Sequence, residues 1–265
     1  MKIIKNITAD EIKKSILKLA IQGKLVKQNL NDEPASELIK KIYKEKQNLI
    51  NEGKIKKDKD ESYIFKGDDN YYYEKIGNNK PKKLENLPFN IPNNWVWIRF
   101  NQLVHYYMGK TPERIIKEYW NSDFPWITIS DIKNDNFLKK TKESISILAK
   151  DTLFKNKVSP IGTLIMSFKL TIGNVSILDI NATHNEAIIS IFPFFDTSNV
   201  IRNFLFKFLP LISNNGNAKD AIKGKTLNSN SINNLLIPLP PLKEQERIVY
   251  NLENINKLIT KITTN

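Results

Sequence analysis

The stretch Leu235–Ile248, which reads LLIPLPPLKEQERI, marks the transition around which the chain is organised. Its three prolines fix the backbone φ angle and remove hydrogen-bond donors, which favours an extended segment. Glu244 and Glu246 then fall in the first turn of a predicted helix, where negative charge is favourable. The stretch therefore predicts a rigid extended segment that leads directly into a helix beginning at Leu242.

This exit helix carries an apolar seam, and a helix near the N-terminus carries a matching one. Spacings of 4, 3, 4 and 3 residues separate the apolar positions in both, and Thr8 with Glu11 forms a capping box at the start of the N-terminal helix, predicted over residues 8–22. Because neither helix can bury its seam alone, we expect the two to pair antiparallel. The predicted helix interface consists of Ile12, Ile16, Leu19, Ile248, Leu252, Ile255 and Ile259.

A second helix is predicted from about Pro34 to Glu52, and Gly53 is expected to end it. The segment that follows holds Tyr71-Tyr72-Tyr73 with scattered proline and asparagine, and is expected to be an irregular connecting arm. The predicted division of the chain is a helical region at 1–60, the arm at 61–94, a globular body at 91–240 and the exit helix at 241–265.

Short segments rich in apolar and aromatic residues dominate the body and predict strands. These segments cover residues 95–100, 124–129, 162–168, 174–178 and 187–192, with a hairpin turn across 169–173. Residues 197–213 have the periodicity of a helix. Many short strands with a few helices indicate a mixed α+β domain, flanked by the N- and C-terminal helices.

Composition restricts the class of protein. The 265 residues can bury a substantial core, include no cysteine, and contain no apolar run near the roughly 20 residues that a membrane span requires. The N-terminal residues lack the apolar core of a signal peptide, so we expect a cytoplasmic protein without disulfides. The formal net charge of +13 indicates a polyanionic partner, either nucleic acid or an anionic membrane surface, although part of the lysine excess could serve solubility.

The sequence lacks recognisable catalytic motifs. It contains no Gly-x-Gly loop and no Asp/Asn-Pro-Pro-aromatic turn, and Gly224-Lys225-Thr226 lacks the upstream glycine of a nucleotide-binding loop. His105 and His184 are far apart and have no partner motif for a metal site or a catalytic pair. These observations predict a binding protein with no catalytic residues, metal ligands or cofactor of its own.

Three polar loops that contain basic residues are the candidates for a nucleic-acid interface. They are Tyr107–Arg114, the hairpin tip at Phe168–Gly173, and Ile222–Asn228 just before the proline-rich stretch. Lysine and arginine can contact phosphates or read guanine, and phosphate contact is the more common use. The basic residues among the candidates are expected to share one face. The candidate DNA-binding residues are Lys110, Thr111, Arg114, Lys169, Thr171, Lys223, Lys225 and Thr226.

Several of these segments resemble the specificity subunits of type I restriction-modification systems. The residues at 237–248, IPLPPLKEQERI, are similar to the junction that follows each target-recognition domain in that family. Gly-Lys-Thr-Pro at 109–112 is similar to the motif that opens such a domain, and residues 222–228 resemble a further family element. Residues 14–26 and 31–38 resemble the conserved helical region of the family.

The resemblance implies a DNA-recognition subunit that directs methyltransferase subunits, and a restriction/translocase subunit, to a target site on double-stranded DNA. S-adenosylmethionine, ATP and magnesium would then belong to the partner subunits. Since the family usually has two recognition domains, a single one implies a half-length form, for which a two-fold homodimer is a further expectation.

Two alternatives remain open at this point. One is a truncated or regulatory protein that binds the partner subunits without specific DNA recognition. The other is a free-standing DNA-binding module or the recognition subunit of a different modification enzyme. The target site, the methylated base and whether DNA is cleaved do not follow from the sequence.

Overall fold

The computed structural model describes residues 8–58, 60–133, 136–155, 157–215 and 227–263. Its α-helices are α1 (Ala9–Ile21), α2 (Ala35–Asn51), α3 (Phe100–Leu103), α4 (Ile147–Ala149), α5 (Val200–Asn215), α6 (Ser229–Asn233) and α7 (Leu242–Thr263). Its strands are β1 (Ser62–Lys66), β2 (Tyr72–Ile76), β3 (Lys82–Lys83), β4 (Val96–Arg99), β5 (Val104–Met108), β6 (Phe124–Ile127), β7 (Asn136–Leu138), β8 (Glu143–Ile145), β9 (Leu164–Ser167), β10 (Val175–Leu178), β11 (Thr183–His184), β12 (Ile188–Pro193) and β13 (Leu236–Leu239). The fold is mixed α+β with helices near both ends, which confirms the predicted class.

The predicted N-terminal helix forms as α1, and reciprocal hydrogen bonds close its first turn. The backbone N–H of Thr8 donates to the Glu11 carboxylate at 2.8 Å, and the N–H of Glu11 donates to the Thr8 hydroxyl oxygen at 3.3 Å. Gly23 takes a φ of +70° just beyond the helix, where a side chain would collide with the ring of Pro92. Glycine at this position therefore lets the chain turn closely against the start of the body.

The segment 61–94, expected to be irregular, contains a regular antiparallel sheet in the order β1-β2-β3, and the structure corrects that expectation. The turn between β1 and β2 is closed by the N–H of Gly67, which donates to the Tyr71 carbonyl at 2.8 Å. Asn70 takes the left-handed conformation in this turn, with a φ of +65°. Glycine and asparagine in the turn, followed by tyrosines, are the signal of a hairpin that the sequence analysis did not use.

A buried cation joins α2 to the body. Lys46 is 2% exposed, and its ammonium group donates to the Asp58 carboxylate and to Gln102 Oε1, both at 2.7 Å. The side-chain amide of Gln102 donates to the same carboxylate at 3.1 Å. Since a buried ammonium is costly unless it is paired and hydrogen-bonded, this network fixes α2 against α3.

A five-stranded sheet in the order β5-β12-β9-β10-β7 forms the centre of the body. Neighbouring strands are antiparallel, except that β10 and β7 are parallel. The sheet packs against α5, whose Phe204, Leu205 and Phe208 are fully buried in the main hydrophobic core. The strands predicted at 162–168, 174–178 and 187–192 and the helix predicted at 197–213 correspond to β9, β10, β12 and α5, and are confirmed within a few residues.

The proline-rich stretch forms strand β13, which pairs antiparallel with β4 at the start of the body. Pro238 lies opposite Trp97 in this two-stranded sheet. Proline fits here because a two-stranded sheet has a free edge, where its missing N–H leaves no ladder bond unmade. Helix α7 follows at once, and the N–H groups of Glu244 and Gln245 donate to the Pro241 carbonyl at 2.9 and 3.0 Å.

Polar residues at the start of α7 attach the N-terminal segment to the body. Glu244 is fully buried and accepts a hydrogen bond from the Gln28 amide at 2.6 Å, and Arg247 pairs with Asp32 at 2.5 Å. Burial raises the pKa of the Glu244 carboxyl group. Gln28 and Asp32 follow α1, and α1 packs on α7, so the end of α1 lies beside the beginning of α7. This is the antiparallel arrangement that the seams predict.

Candidate nucleic-acid interface

One end of the five-stranded sheet gathers the loops that the sequence analysis selected. Met108, the last residue of β5, pairs with Ile189 near the start of β12, and Ile189 pairs with Met166 near the end of β9. The starts of β10 and β7 lie at this end too, because Val175 pairs with Met166 and β7 runs parallel to β10. We call this surface the loop end, comprising residues 109–114, 168–174 and 185–187.

The loop after β5 is held against the segment that carries His184. The N–H of Lys110 donates to the His184 carbonyl at 2.9 Å, and Trp126 Nε1 donates to the Lys110 carbonyl at 3.0 Å. A side chain at Gly109 would collide with the same His184 carbonyl oxygen, so this close approach requires glycine. The backbone of Lys110 is therefore fixed, while its side chain is exposed.

Glu186 joins two of the candidate loops. Its carboxylate accepts a hydrogen bond from the Thr111 hydroxyl, which lowers the pKa of Glu186, and the charge of Lys169 lowers that pKa further. Thr111 therefore contacts an exposed carboxylate whose pKa also responds to the charge of Lys169 on a separate loop. Glu186 was not among the predicted residues, because positive charge and hydroxyl groups were the signals for DNA contact, although a carboxylate can accept from the exocyclic amine of cytosine.

A buried hydrogen-bonded chain of Tyr107, Ser159, Ser190 and His184 lies behind the loop end. The hydroxyl oxygens of Tyr107 and Ser159 are 2.9 Å apart, those of Ser159 and Ser190 are 2.6 Å apart, and Ser190 Oγ lies 2.8 Å from His184 Nε2. His184 Nδ1 faces the Asn185 carbonyl at 3.1 Å, and because a carbonyl only accepts, Nδ1 carries the proton. Burial lowers the pKa of His184 to about 4, so the ring is neutral near pH 7. No sequence motif signals this chain, because its members meet only in the fold.

Arg114 has its direction fixed by its neighbours. Its guanidinium lies 3.7 Å from the centre of the Trp120 ring and pairs with Glu143 at 2.5 Å. The side chain is nevertheless 57% exposed, so it retains donors for a ligand. Arg114 is thus a preoriented group, whereas the side chain of Lys110 is free to adapt.

The third predicted loop carries three candidates that lie outside the described residues: Lys223, Lys225 and Thr226. Leu227 follows them directly, and its N–H donates to the Phe168 carbonyl at 2.9 Å. The end of this loop therefore meets the turn between β9 and β10, in which Thr171 is exposed. That all the basic candidates share one face stays a prediction.

The predicted helix interface divides into a buried and an exposed part. Three of its residues are at most 9% exposed and pack within the chain, namely Ile248, Leu252 and Ile259. Two more are half-buried, namely Ile16 and Ile255. Two are 39% and 47% exposed, namely Ile12 and Leu19. Exposed apolar side chains also continue along α7 at Leu258 and Ile262. The buried residues join α7 to α1 and the body, and the exposed ones are accessible to a partner.

The described residues contain no group of three or more His, Cys, Asp or Glu side chains placed to hold a metal ion. Over the same ranges, no helix is long and apolar enough to cross a membrane. The two histidines do not form a pair, since His105 stacks on Phe192 while His184 belongs to the buried chain behind the loop end.

The family model of the type I restriction modification DNA specificity domain matches residues 92–265. A stretch of 102 residues is 39% identical to the specificity subunit of the type I restriction enzyme EcoAI from Escherichia coli, and covers 38% of this chain and 14% of that protein. A stretch of 173 residues is 27% identical to the specificity subunit of the type I restriction enzyme MjaIX from Methanocaldococcus jannaschii, and covers 64% and 39%, respectively. The chain thus matches well under half the length of these relatives.

Among solved structures, the crystal structure of the HsdS subunit from Thermoanaerobacter tengcongensis is similar with a TM-score of 0.51. The two chains are 19% identical, and the match covers 66% of this chain and 41% of that one. A chain from a structure describing assembly and conformational transition of the type I R-M system gives the same TM-score at 20% identity. This likeness concerns the fold.

Proposed function

The chain belongs to the type I restriction modification DNA specificity family, and from that membership we propose that its body reads duplex DNA through the loop end. The observation that carries the proposal is the register of the five-stranded sheet, because it brings the loop after β5, with Lys110 and Thr111, to the same end of the sheet as the turn after β9, with Lys169. The net charge of +13 favours approach to a polyanion.

The side chains of the loop end have complementary uses on DNA. Lys110 and Lys169 donate to phosphates or to guanine, and Thr111 can donate or accept at a base edge. Glu186 accepts from an exocyclic amine. These groups stand on loops held by a rigid sheet, which suits recognition because ordering them costs little on binding.

The chain acts in this proposal as the non-catalytic specificity subunit of a type I restriction-modification complex. Methyltransferase subunits, and a restriction/translocase subunit where the system cleaves, carry out the chemistry at the site that this chain selects. S-adenosylmethionine, ATP and magnesium bind to those partners. The purified chain alone should therefore neither methylate nor cleave DNA, and methyl transfer by it from S-adenosylmethionine would contradict this role.

The exposed apolar residues of α1 and α7 provide the docking surface in this proposal. Ile12, Leu19, Leu258 and Ile262 are exposed on these two helices, which pack on each other. A methyltransferase subunit or a second copy of the chain would cover them. A two-fold dimer would present two loop ends to DNA.

The decisive experiment compares DNA methylation in host cells with and without the gene, in the presence of its modification subunits. A sequence motif that is methylated only when the chain is present supports the proposal. Lys110→Ala combined with Lys169→Ala should reduce methylation at that motif. The matched pair Lys56→Ala and Lys57→Ala, on exposed residues before β1, should not.

The opposite result has a clear meaning. Methylation could be the same in cells with and without the gene, while the chain co-purifies with a methyltransferase subunit from the cells that have it. In that case, the chain does not select DNA. The regulatory alternative, in which it binds partners without reading DNA, would then replace the proposal.

A further inference from the structure

The edge strand β7 borders a cleft that the candidate loops do not include. The cleft has a volume of about 310 Å³, and its lining includes four lysines and one large exposed aromatic side chain. The lysines are Lys133, Lys139, Lys140 and Lys142. Phe137 of β7 is 51% exposed and rests against Phe206, with 6.5 Å between the ring centres.

The positive charge of this cleft is not neutralised within the part of the chain that the structure describes, where none of the four lysines forms an ion pair. Among the described residues, the one carboxylate that lines the cleft is that of Asp131, and it is already occupied. It accepts from the N–H of Thr128 at 2.8 Å and from the N–H of Lys142 at 3.1 Å. The Lys142 ammonium donates to the Ser130 hydroxyl oxygen at 3.2 Å, which holds it in the cleft. Within the described ranges, the cleft therefore presents exposed lysine ammonium groups that have no ion-pair partner.

The position of the cleft relative to the loop end follows from the strand order. β9 is the central strand of the five, and the turn after it projects from the middle of the loop end. β7 lies two strands away, which is about 10 Å at the usual spacing of about 4.8 Å between strands. The major groove of DNA is about 12 Å wide, so its phosphate backbones lie about 6 Å or more from its centre. A duplex whose groove receives the β9 turn would therefore bring one backbone beside β7. This strand starts at the loop end and leads away from it to Lys139, Lys140 and Lys142.

We propose that the cleft along β7 binds the sugar–phosphate backbone of the duplex whose bases face the loop end. The lysines contact successive phosphates, and Phe137 packs against deoxyribose. The inference rests on the proposed function and adds a division of labour. The β9 turn and the loop after β5 read bases, whereas the cleft supplies affinity without sequence preference.

The test uses the full chain and measures its affinity for duplexes of one length and different sequence between 50 and 200 mM salt. In the test variant, the four cleft lysines are replaced by glutamine (K133Q, K139Q, K140Q, K142Q). The control variant carries the same number of changes at exposed lysines of the N-terminal region (K56Q, K57Q, K80Q, K82Q). Thermal unfolding of both variants checks that each folds like the wild type.

The expected result is a shallower salt dependence in the cleft variant only. The slope of log affinity against log salt should fall by about 0.9 for each lysine that contacts a phosphate. If all four lysines contact phosphates, the factor by which affinity falls between 50 and 200 mM salt should be roughly a hundredfold smaller for the cleft variant than for the wild type. The affinity should decrease by the same factor on every sequence, and the control variant should match the wild type.

Other outcomes separate this inference from the proposed function. If the wild type binds DNA and the cleft variant binds with an unchanged slope, the cleft is not a phosphate site and the inference is overturned alone. If the cleft substitutions abolish binding to vesicles of anionic phospholipid but leave the affinity for DNA unchanged, the inference is overturned as well. If the wild type binds no duplex at any salt concentration, the proposed function fails and the inference with it.

Discussion

Protonation of His184 should destabilise the fold behind the loop end. The neutral ring accepts a hydrogen bond from Ser190 and donates one to the Asn185 carbonyl, and it has no access to water that could solvate a charge. Burial, with a smaller contribution from the charge of Lys157, lowers the pKa of His184 from 6.5 to about 4. Between these two values the unfolded chain binds a proton that the folded chain does not, so the free energy of unfolding falls as the pH falls.

The size of the effect follows from the two pKa values. At pH 7.5 both states are almost fully deprotonated, and the histidine contributes no pH dependence. Between pH 7.5 and pH 5 the folded state should lose about 2 kcal/mol relative to the unfolded state, approaching about 3 kcal/mol near pH 4. Carboxylates also titrate in this range, so the contribution of His184 to the pH dependence must be isolated by substitution.

Urea unfolding of the wild type and of His184→Gln, measured from pH 7.5 to pH 5, isolates it. The variant should be less stable at pH 7.5, because it disturbs the buried hydrogen-bonded chain. The difference in free energy of unfolding between the wild type and the variant should then be smaller by about 2 kcal/mol at pH 5. His105→Gln is the control. Burial also lowers the pKa of His105, but this side chain is only half-buried. The difference in free energy of unfolding between the wild type and His105→Gln should therefore change less with pH. Parallel pH profiles for the wild type and His184→Gln would refute the reasoning.

Three further predictions concern other parts of the molecule. Gly109→Ala forces a side chain against the facing backbone carbonyl and should cost about 1–3 kcal/mol in urea unfolding, with weaker DNA binding; unchanged stability would contradict the observed packing. Lys46→Met leaves its polar partners uncompensated and should cost about 2–3 kcal/mol, whereas Lys40→Met, at an exposed ion pair, should stay within about 0.5 kcal/mol. If the chain dimerises through its helices, light scattering should give a dimer that Leu258→Lys with Ile262→Lys converts to a monomer, and a wild-type monomer at high concentration would exclude that dimer.

The choice of substitutions for the dimer depends on the structure. Leu252 and Ile255 belong to the seam that the sequence predicts, but Leu252 is 2% exposed and packs inside the chain. A lysine at that position would destabilise the folded chain, so a change in its oligomeric state could not be attributed to the dimer interface. Periodicity identifies an apolar seam, and only the packed structure shows which of its residues already have a partner.

The sequence predicted the elements whose patterns are local. α1 begins at the capping box of Thr8 and Glu11, the proline-rich stretch is extended, and the hairpin of β9 and β10 lies where the alternation and the turn residues indicate. The sheet β1-β2-β3 was missed because its strands are short, with two residues in β3, and because the turn residues and tyrosines of its hairpin were not weighed. Such strands are stabilised by cross-strand pairs and by packing on β4 and α2, which no local pattern records.

The candidate site was predictable only in part, for the same reason. The loops containing Lys110 and Lys169 were identified from turn residues and charge, but their common location depends on the register of β5, β12 and β9. Glu186 and the chain of Tyr107, Ser159, Ser190 and His184 come from distant parts of the sequence. Their roles depend on distances that are set by the tertiary fold.

The contacts at the start of α7 constrain how the chain folds during synthesis. Gln28 and Glu244 are 216 positions apart, Asp32 and Arg247 are 215 apart, and β4 pairs with β13 across most of the body. At about 5–20 residues per second, α1 waits for α7 for roughly ten seconds or more, and the edge of β4 that pairs with β13 stays unpaired for several seconds or more. The nascent chain therefore exposes Ala20, Ile21 and the edge of β4 until α7 emerges, and chaperones that cover apolar surface should associate with it over that interval. A translational pause before α7 would prolong this exposure and favour aggregation.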